Sequence, residues 1–377
     1  MSAPSTVLHG AGPAVERLDV SVHTVPTDLP GGDGTLTWNS TTLVLVEAVA
    51  GGHTGLGWTY GSAAAARVVS GELAGTVTGR DALDVPGTNE AMARAVRNTG
   101  RPGIAAGAIS AVDTALWDLK ARLLGLPLVR LLGAVRPEVP VYGSGGFTTY
   151  DDTWLRRQLR GWTEEQGIPR VKIKIGESWG SREHRDLERI SLAREAVGDG
   201  TDLYVDANGG YGRKQAVRVA AAFADAGVTW FEEPVSSDDL DGLREVRDAV
   251  AADVAAGEYG YDLPYFARMT SWGAVDCLQA DVTRCGGITG WLRAAAVAES
   301  LGLEVSGHCA PHLHAAVAAA VPNLRHLEWF HDHVRIERMF FHGVLDPRGG
   351  TIRPGASGDP GHGLELDRET AAAYRTE

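Results

Sequence analysis

Past Pro137 the chain keeps one rhythm: short β-rich runs, each followed by ten to fifteen residues of helical pattern. Strands are expected near 139–143, 171–175, 202–205, 229–231, 253–256, 275–280, 303–306 and 326–329. Strands alternating with helices imply a parallel sheet, and eight of them are the number that closes a TIM-type barrel. An open doubly wound sheet is the competing arrangement.

The residues before this repeat follow another pattern. From Ala14 to Tyr60 they are strand-like, with β-branched residues over 41–49 and a Gly51-Gly52 turn into a run ending at Trp58. A helix follows, marked by Ile109, Val112, Leu116, Leu119 and Leu123 on one face and stopped by Gly125 and Pro127. This is an α+β unit over 1–135, and no Ser- or Pro-rich linker separates it from the repeat.

Charge narrows the partners. Against 48 acidic side chains stand 35 basic ones, a net charge of -13, which argues against nucleic acid or an anionic membrane surface. No run approaches the roughly 18 to 20 apolar residues that span a bilayer, and the first twenty residues show no basic start followed by an apolar stretch. Cys277, Cys285 and Cys309 are odd in number and sparse, which suggests a reducing compartment and small buried side chains. A soluble, cytoplasmic protein is expected.

The chemistry lies at the strand ends. Asp206, Glu232 and Glu258 are spaced 232 - 206 = 26 and 258 - 232 = 26, one βα unit each, so a barrel sets them side by side on its C-terminal rim. Three converging carboxylates repel unless a cation sits between them, and all-oxygen ligation suits Mg²⁺ better than zinc. Glu233 competes with Glu232, but adjacent strand residues face opposite ways, so one of the two points at the metal. Asn208 either orients a ligand or shapes the turn after Asp206.

Lys172 and Lys174, two apart in Val-Lys-Ile-Lys-Ile-Gly, share the inner face of their strand. Burial and a neighbouring cation both lower a lysine's pKa, which would ready one of the pair as a general base. Asp281 and His308 fall at the ends of the sixth and seventh strands, where the carboxylate would fix the imidazole tautomer. His312 and His314 are rivals placed in the following loop or helix. Glu328, on the eighth strand, completes the ring; kept protonated by burial, it would donate a hydrogen bond to an oxyanion. Bases flanking a metal that grips a carboxylate are suited to removing the proton α to that carboxylate.

These residues resemble the enolase superfamily, and within it the mandelate racemase subgroup. Lys172-Ile-Lys174 is similar to its Lys-x-Lys motif, with Lys174 implied as base and Lys172 as a contact to the substrate carboxylate. Asp206 in Val-Asp-Ala-Asn, Glu232 in Phe-Glu-Glu-Pro and Glu258 in Gly-Glu-Tyr resemble the three Mg²⁺ ligands, which favours Glu232 over Glu233. The muconate lactonizing branch also resembles this chain, but its second lysine is replaced here by Asp281. The helix around Ala111-Val-Asp-Thr-Ala-Leu-Trp-Asp-Leu-Lys120 looks like the family's segment between cap and barrel.

The resemblance implies an α+β cap over 1–135, a modified TIM barrel, (β/α)7β, over 136–345 and a segment 346–377 returning to the cap. It also implies a homo-oligomer, a small-molecule carboxylate substrate and an enediolate intermediate. Dehydration of an acid sugar leads; racemisation, epimerisation or cycloisomerisation on the same site follows, and a non-catalytic binding module is the reading from another class. Specificity is expected in the cap segments 26–38 and 51–60, which offer Trp38, His53, Trp58 and Tyr60.

Overall fold

The computed structural model describes residues 12–377. The start of the cap at residue 1, and part of the twenty-residue stretch searched for a leader, lie outside them. Three antiparallel strands form the cap sheet in the order β1 (Arg17–Gly32), β2 (Thr37–Ala50) and β3 (His53–Tyr60). The turn at Gly51-Gly52 joins the last two, both glycines at positive φ. Behind the sheet lies the helix Ile104–Leu123, longer than its marker residues indicate. It approaches β3 so closely that a Cβ on Gly55 or Gly57 would fall 2.2 or 2.3 Å from the carbonyl oxygens of Ala115 and Ala111. The sequence Gly-Leu-Gly-Trp is therefore required by packing as well as by strand propensity.

The eight expected strands all form: β4 (Val139–Gly145), β5 (Arg170–Lys174), β6 (Asp202–Asp206), β7 (Val228–Glu232), β8 (Asp253–Ala256), β9 (Cys277–Ala280), β10 (Glu304–Gly307) and β11 (Leu324–Phe330). All pair in parallel with their sequence neighbours, and β11 pairs with β4. The sheet closes into a barrel. Its outer face carries Val171, Ile173, Val205, Phe231 and Val254, all buried beneath helices.

Cap and barrel share one interior. The helix Ile104–Leu123 is covered on both sides, and on the barrel side its Asp113 accepts hydrogen bonds from Thr289 N–H (3.0 Å), Thr289 Oγ1 (2.7 Å) and Asn89 Nδ2 (2.8 Å). Thr59 Oγ1 on β3 donates to the Thr283 carbonyl, 2.8 Å away on the barrel rim. At the far end of the chain, Tyr374, Thr376 and Glu377 hydrogen-bond the backbone of Val22 and Thr24 on the outer edge of β1. Among the described residues no helix is long and apolar enough to cross a membrane.

Candidate active site

Strand register sets the level of each side chain on the rim. Lys174 stands beside Asp206, and Asp206 beside Glu232, as paired residues of β5, β6 and β7. Glu258 lies two residues beyond β8, and Asp281 and His308 each one beyond their strands. Asp206, Glu232 and Glu258 are buried, each with a carboxylate oxygen within 4.8 Å of the others. Glu232 Oε1 and Glu258 Oε2 make no hydrogen bond, and a buried acceptor left unpaired is costly. An all-oxygen set with unshared lone pairs fits Mg²⁺.

The lysines lie inside the barrel, as their alternation requires. Lys172 Nζ donates to Glu232 Oε2 (2.6 Å), lies 2.8 Å from Glu328 Oε1 and 3.5 Å from Asp206 Oδ2. Lys174 Nζ pairs with Asp206. Their pKa values depart from the sequence expectation. Burial lowers both, but Glu232 and Glu328 around Lys172, and Asp206 beside Lys174, more than offset it, so both ammoniums are held above the ordinary lysine value. Asp206 is correspondingly held low, burial being outweighed by Lys174 and Lys172. Glu232 is the acid left over, pushed up to about 8 by burial and then by the charge on Asp206. A cation engaging Asp206 would weaken the largest of the charges that hold the Lys174 proton, with the smaller contributions of Glu328 and Glu232 remaining against burial.

On the opposite flank His308 Nδ1 donates to Asp281 Oδ2 (2.9 Å), which leaves Nε2 facing Glu258 Oε2 at 3.3 Å and Glu328 Oε2 at 3.7 Å. Burial lowers the His308 pKa, and Glu258, Glu328 and Asp281 together hold it above the ordinary value. Glu328 overturns the expectation of a protonated acid. It accepts from Ser144 Oγ (2.6 Å) and Cys309 N–H (2.9 Å), and although burial favours the neutral form, Lys172 and His308 hold its pKa well below the usual range. An ionised Glu328 cannot donate to an oxyanion; it steadies Lys172 instead.

The comparisons with known proteins agree on the family. The enolase C-terminal domain-like family matches residues 154–371, and the N-terminal domain of mandelate racemase and muconate lactonizing enzyme matches residues 17–133. The chain belongs to the mandelate racemase/muconate lactonizing enzyme family. A family-like protein from Rubrobacter xylanophilus is 53% identical, with a TM-score of 0.93 over 97% of this chain and 100% of that one. A racemase from Streptomyces coelicolor A3(2), solved with bound magnesium, is 30% identical with a TM-score of 0.90, over 96% of this chain and 100% of its own. The L-talarate/galactarate dehydratase of Salmonella typhimurium is 33% identical over 286 residues, 74% of this chain and 71% of its own length. The 3,6-anhydro-alpha-L-galactonate cycloisomerase of Streptomyces coelicolor is 32% identical over 326 residues, 84% and 87%.

Several residues around this family's site fall elsewhere than alternation alone would put them. Glu233 does not face away from Glu232: β7 ends at Glu232, and Glu233 turns inward at φ 38°. It is buried with Oε1 unpaired, and burial followed by the charges on Glu258 and Asp206 raises its pKa well above the usual value. Asn208, at φ 45°, donates its N–H to Asp206 Oδ1 (2.9 Å), shaping the turn, and leaves its own Oδ1 without a partner. His314 is structural, Nε2 accepting from Val282 N–H (2.9 Å); His312 pairs with Glu337.

Segment 51–60 is the Gly51-Gly52 turn followed by β3, and this separates its candidates. His53 is exposed beside the Gly51-Gly52 turn, at the opposite end of β3 from Tyr60, so it is not brought to the site. Trp58 is fully buried, stacked on Phe341 at 4.5 Å, and packs into the core that the barrel shares with the facing side of the cap sheet rather than into a pocket. Tyr60 is the candidate that carries a polar group to the junction: its ring stacks on His333 at 3.5 Å and its hydroxyl donates to Glu337 Oε1 (3.2 Å). It borders a cavity of about 240 Å³ shared with Ser62, Tyr259, Tyr261 and Arg284. A roomier cavity of about 430 Å³, lined by Val129, Arg136 and Arg353, contains none of these residues.

In segment 26–38 the tip between β1 and β2 rests on the rim. Gly34 accepts from Trp179 N–H (2.8 Å), and a Cβ there would fall 2.6 Å from the Ala207 carbonyl. Trp38 meets Phe147 edge to face, in a cluster with Tyr150, Phe330 and Cys309. Sequence reasoning missed Arg284, whose Nη1 donates to Glu258 Oε1 (3.1 Å) and whose Nε lies 3.4 Å from Asp281. Its position three residues after Asp281 was the available signal. Ser144, at the end of the first barrel strand, was open to the same strand-end reading that found the acids.

Proposed function

We propose that this chain removes the proton α to the carboxylate of an acid sugar and expels the β-hydroxyl, forming a 2-keto-3-deoxy acid. The observation that supports this reading is the placement of two unlike proton-transfer groups on opposite flanks of the carboxylate trio, Lys174 beside Asp206 and His308 beside Glu258. Lys174 takes the α-proton, and Lys172 contacts the substrate carboxylate. His308, its Nδ1 anchored by Asp281, gives the Nε2 proton to the departing hydroxyl, so that water leaves and the enol product tautomerises to the ketone. Asp206, Glu232 and Glu258 hold Mg²⁺, which supplies positive charge beside the substrate carboxylate when bound. The dehydratase relative supports an acid-sugar substrate.

A second reading, racemisation or epimerisation, uses the same flanking pair, one side losing the proton and the other returning it; the racemase neighbour favours it. We take 1–135 as the cap, 136–345 as the barrel and 346–377 as the returning segment of a cytoplasmic homo-oligomer that binds no nucleic acid.

The test is α-carbon deuterium uptake in D₂O with Mg²⁺, across a panel of acid sugars and α-hydroxy acids. Exchange accompanied by a 2-keto-3-deoxy acid is expected. Exchange with inverted stereochemistry and no elimination would transfer the assignment to an epimerase. No exchange on any member would overturn both and favour a binding module.

A further inference from the structure

We propose that His308 Nε2, Cys309 Sγ and Glu328 Oε2 form a second cation site, one that takes thiophilic divalent ions of the Zn²⁺ class. The three donor atoms lie close together: Sγ is 3.3 Å from Nε2 and 3.3 Å from Oε2, and Nε2 is 3.7 Å from Oε2. Metal–ligand bonds of about 2.0 to 2.3 Å at tetrahedral angles separate neighbouring ligand atoms by roughly 3.3 to 3.6 Å. The three atoms thus already stand near the corners of one face of such a tetrahedron. All three residues are buried.

The backbone explains how neighbours 308 and 309 come to share a focus. In a strand they would point to opposite faces. Here β10 ends at Gly307, and Cys309 (φ 54°) and Ala310 (φ 36°) both adopt left-handed conformations that turn the thiol back toward the imidazole. Glu328 Oε2 accepts the Cys309 N–H at 2.9 Å and pins the turn. Such backbone strain persists only where the surroundings fix it.

The donor set separates this site from the carboxylate trio. One thiol, one imidazole and one carboxylate suit Zn²⁺, whereas Mg²⁺ prefers oxygen alone. Asp281 holds the Nδ1 proton of His308, so Nε2 is the ring nitrogen that faces the site and, once its own proton has left, offers its lone pair there. Glu258, 3.3 Å from Nε2, adds negative charge; Lys172, 2.8 Å from the other Glu328 oxygen, opposes it. Binding displaces the thiol proton to solvent and, where His308 is an imidazolium, the Nε2 proton with it, so up to two protons leave per ion. A filled site occupies Nε2 and thereby inhibits; that consequence rests on the proton-transfer role proposed above, whereas the binding does not.

Adding one equivalent of Co²⁺ to the Mg²⁺-loaded protein tests it, since a cobalt–thiolate bond gives a near-ultraviolet charge-transfer band that a carboxylate site lacks. The band is expected in the wild type, Cys277→Ser and Cys285→Ser, and absent in Cys309→Ser and Cys309→Ala. His308→Asn should weaken the binding about tenfold or more. Zn²⁺ should bleach the band and inhibit the wild type under saturating Mg²⁺, with Cys309→Ser about tenfold or more less sensitive. No band at one equivalent, or a band surviving in both Cys309 variants, overturns the site. Binding without inhibition overturns its regulatory consequence. The band is read without turnover, so an inactive chain would sink the proposed reaction and leave this inference standing.

Discussion

Two layers fill the barrel, and they come from the same strands. In the lower one Tyr142, Tyr204, Trp230 and His326 pack ring against ring at 4.7 to 5.7 Å. Two residues further along those four strands stand Ser144, Asp206, Glu232 and Glu328. The layers are equally buried and differ in the sign of what surrounds them. His326 is driven well below the ordinary histidine value by burial and then by Arg325, Arg170 and Lys172. His308, as deeply placed, is held above that value by acids. Once burial is equal, neighbouring charge decides protonation. The lower layer is also the support of the upper: Trp230 Nε1 donates to Glu232 Oε2 (3.0 Å), and the Lys172 ammonium lies 5.4 Å from the Tyr142 ring.

The sharpest way to separate the layers is to cut each alone. Lys174→Ala or His308→Asn should lower turnover by roughly 10² to 10⁴-fold while the melting temperature and Mg²⁺ affinity, read by calorimetry, stay near wild type. Full activity in either variant would remove that residue from the proposed chemistry. Trp230→Ala in the floor should instead cost about 3 to 5 kcal/mol of stability in a denaturant titration, because a fully buried indole leaves a cavity. An unchanged midpoint would break the division between a supporting and a reacting layer.

The rule about charge extends to the cap. Asp206, with two lysines at hand, is held low, whereas Asp113, buried under the cap with neutral hydrogen-bond donors, is pushed up to about 7 by burial. A carboxyl raised in the folded state favours the fold most below its unfolded value of 3.8, and that contribution fades as pH rises through about 7. Asp113→Asn should therefore flatten the fall in stability between pH 5 and 8, on the order of a few kcal/mol, in thermal melts across that range. An unaltered pH slope would contradict the assignment. Smallest of all, His53→Ala should change neither KM nor stability beyond about 0.5 kcal/mol, as expected for an exposed turn residue; a raised KM would return it to the site.

The sequence pattern was informative wherever a strand ran straight. Period two placed Lys172 and Lys174 inside, and the 26-residue interval set three carboxylates on one rim, because both depend on regular geometry. Legibility failed just past the strand ends. Glu233, Cys309 and Ala310 turn at positive φ without being glycine, so no residue type announced that they would reverse direction. Ionisation was misread for a related reason: burial of Glu328 and the lysines could be anticipated, but the pairing that outweighs it depends on three strands meeting. His53 and Trp58 illustrate the converse, since aromatic and imidazole groups in a cap hairpin pack or lie exposed according to a tertiary partner, Phe341 for Trp58, that lies some 280 positions away, 341 - 58 = 283.

The backbone bonds from Tyr374, Thr376 and Glu377 to Val22 and Thr24 bear on how this molecule is made. During synthesis the outer edge of β1 is complete from the start, yet its partner emerges some 350 residues later, 374 - 24 = 350. Contacts that distant in sequence form late, and an unpaired strand edge meanwhile invites other chains. The barrel can close on its local βα units first, leaving the cap's outer edge to be sealed after it.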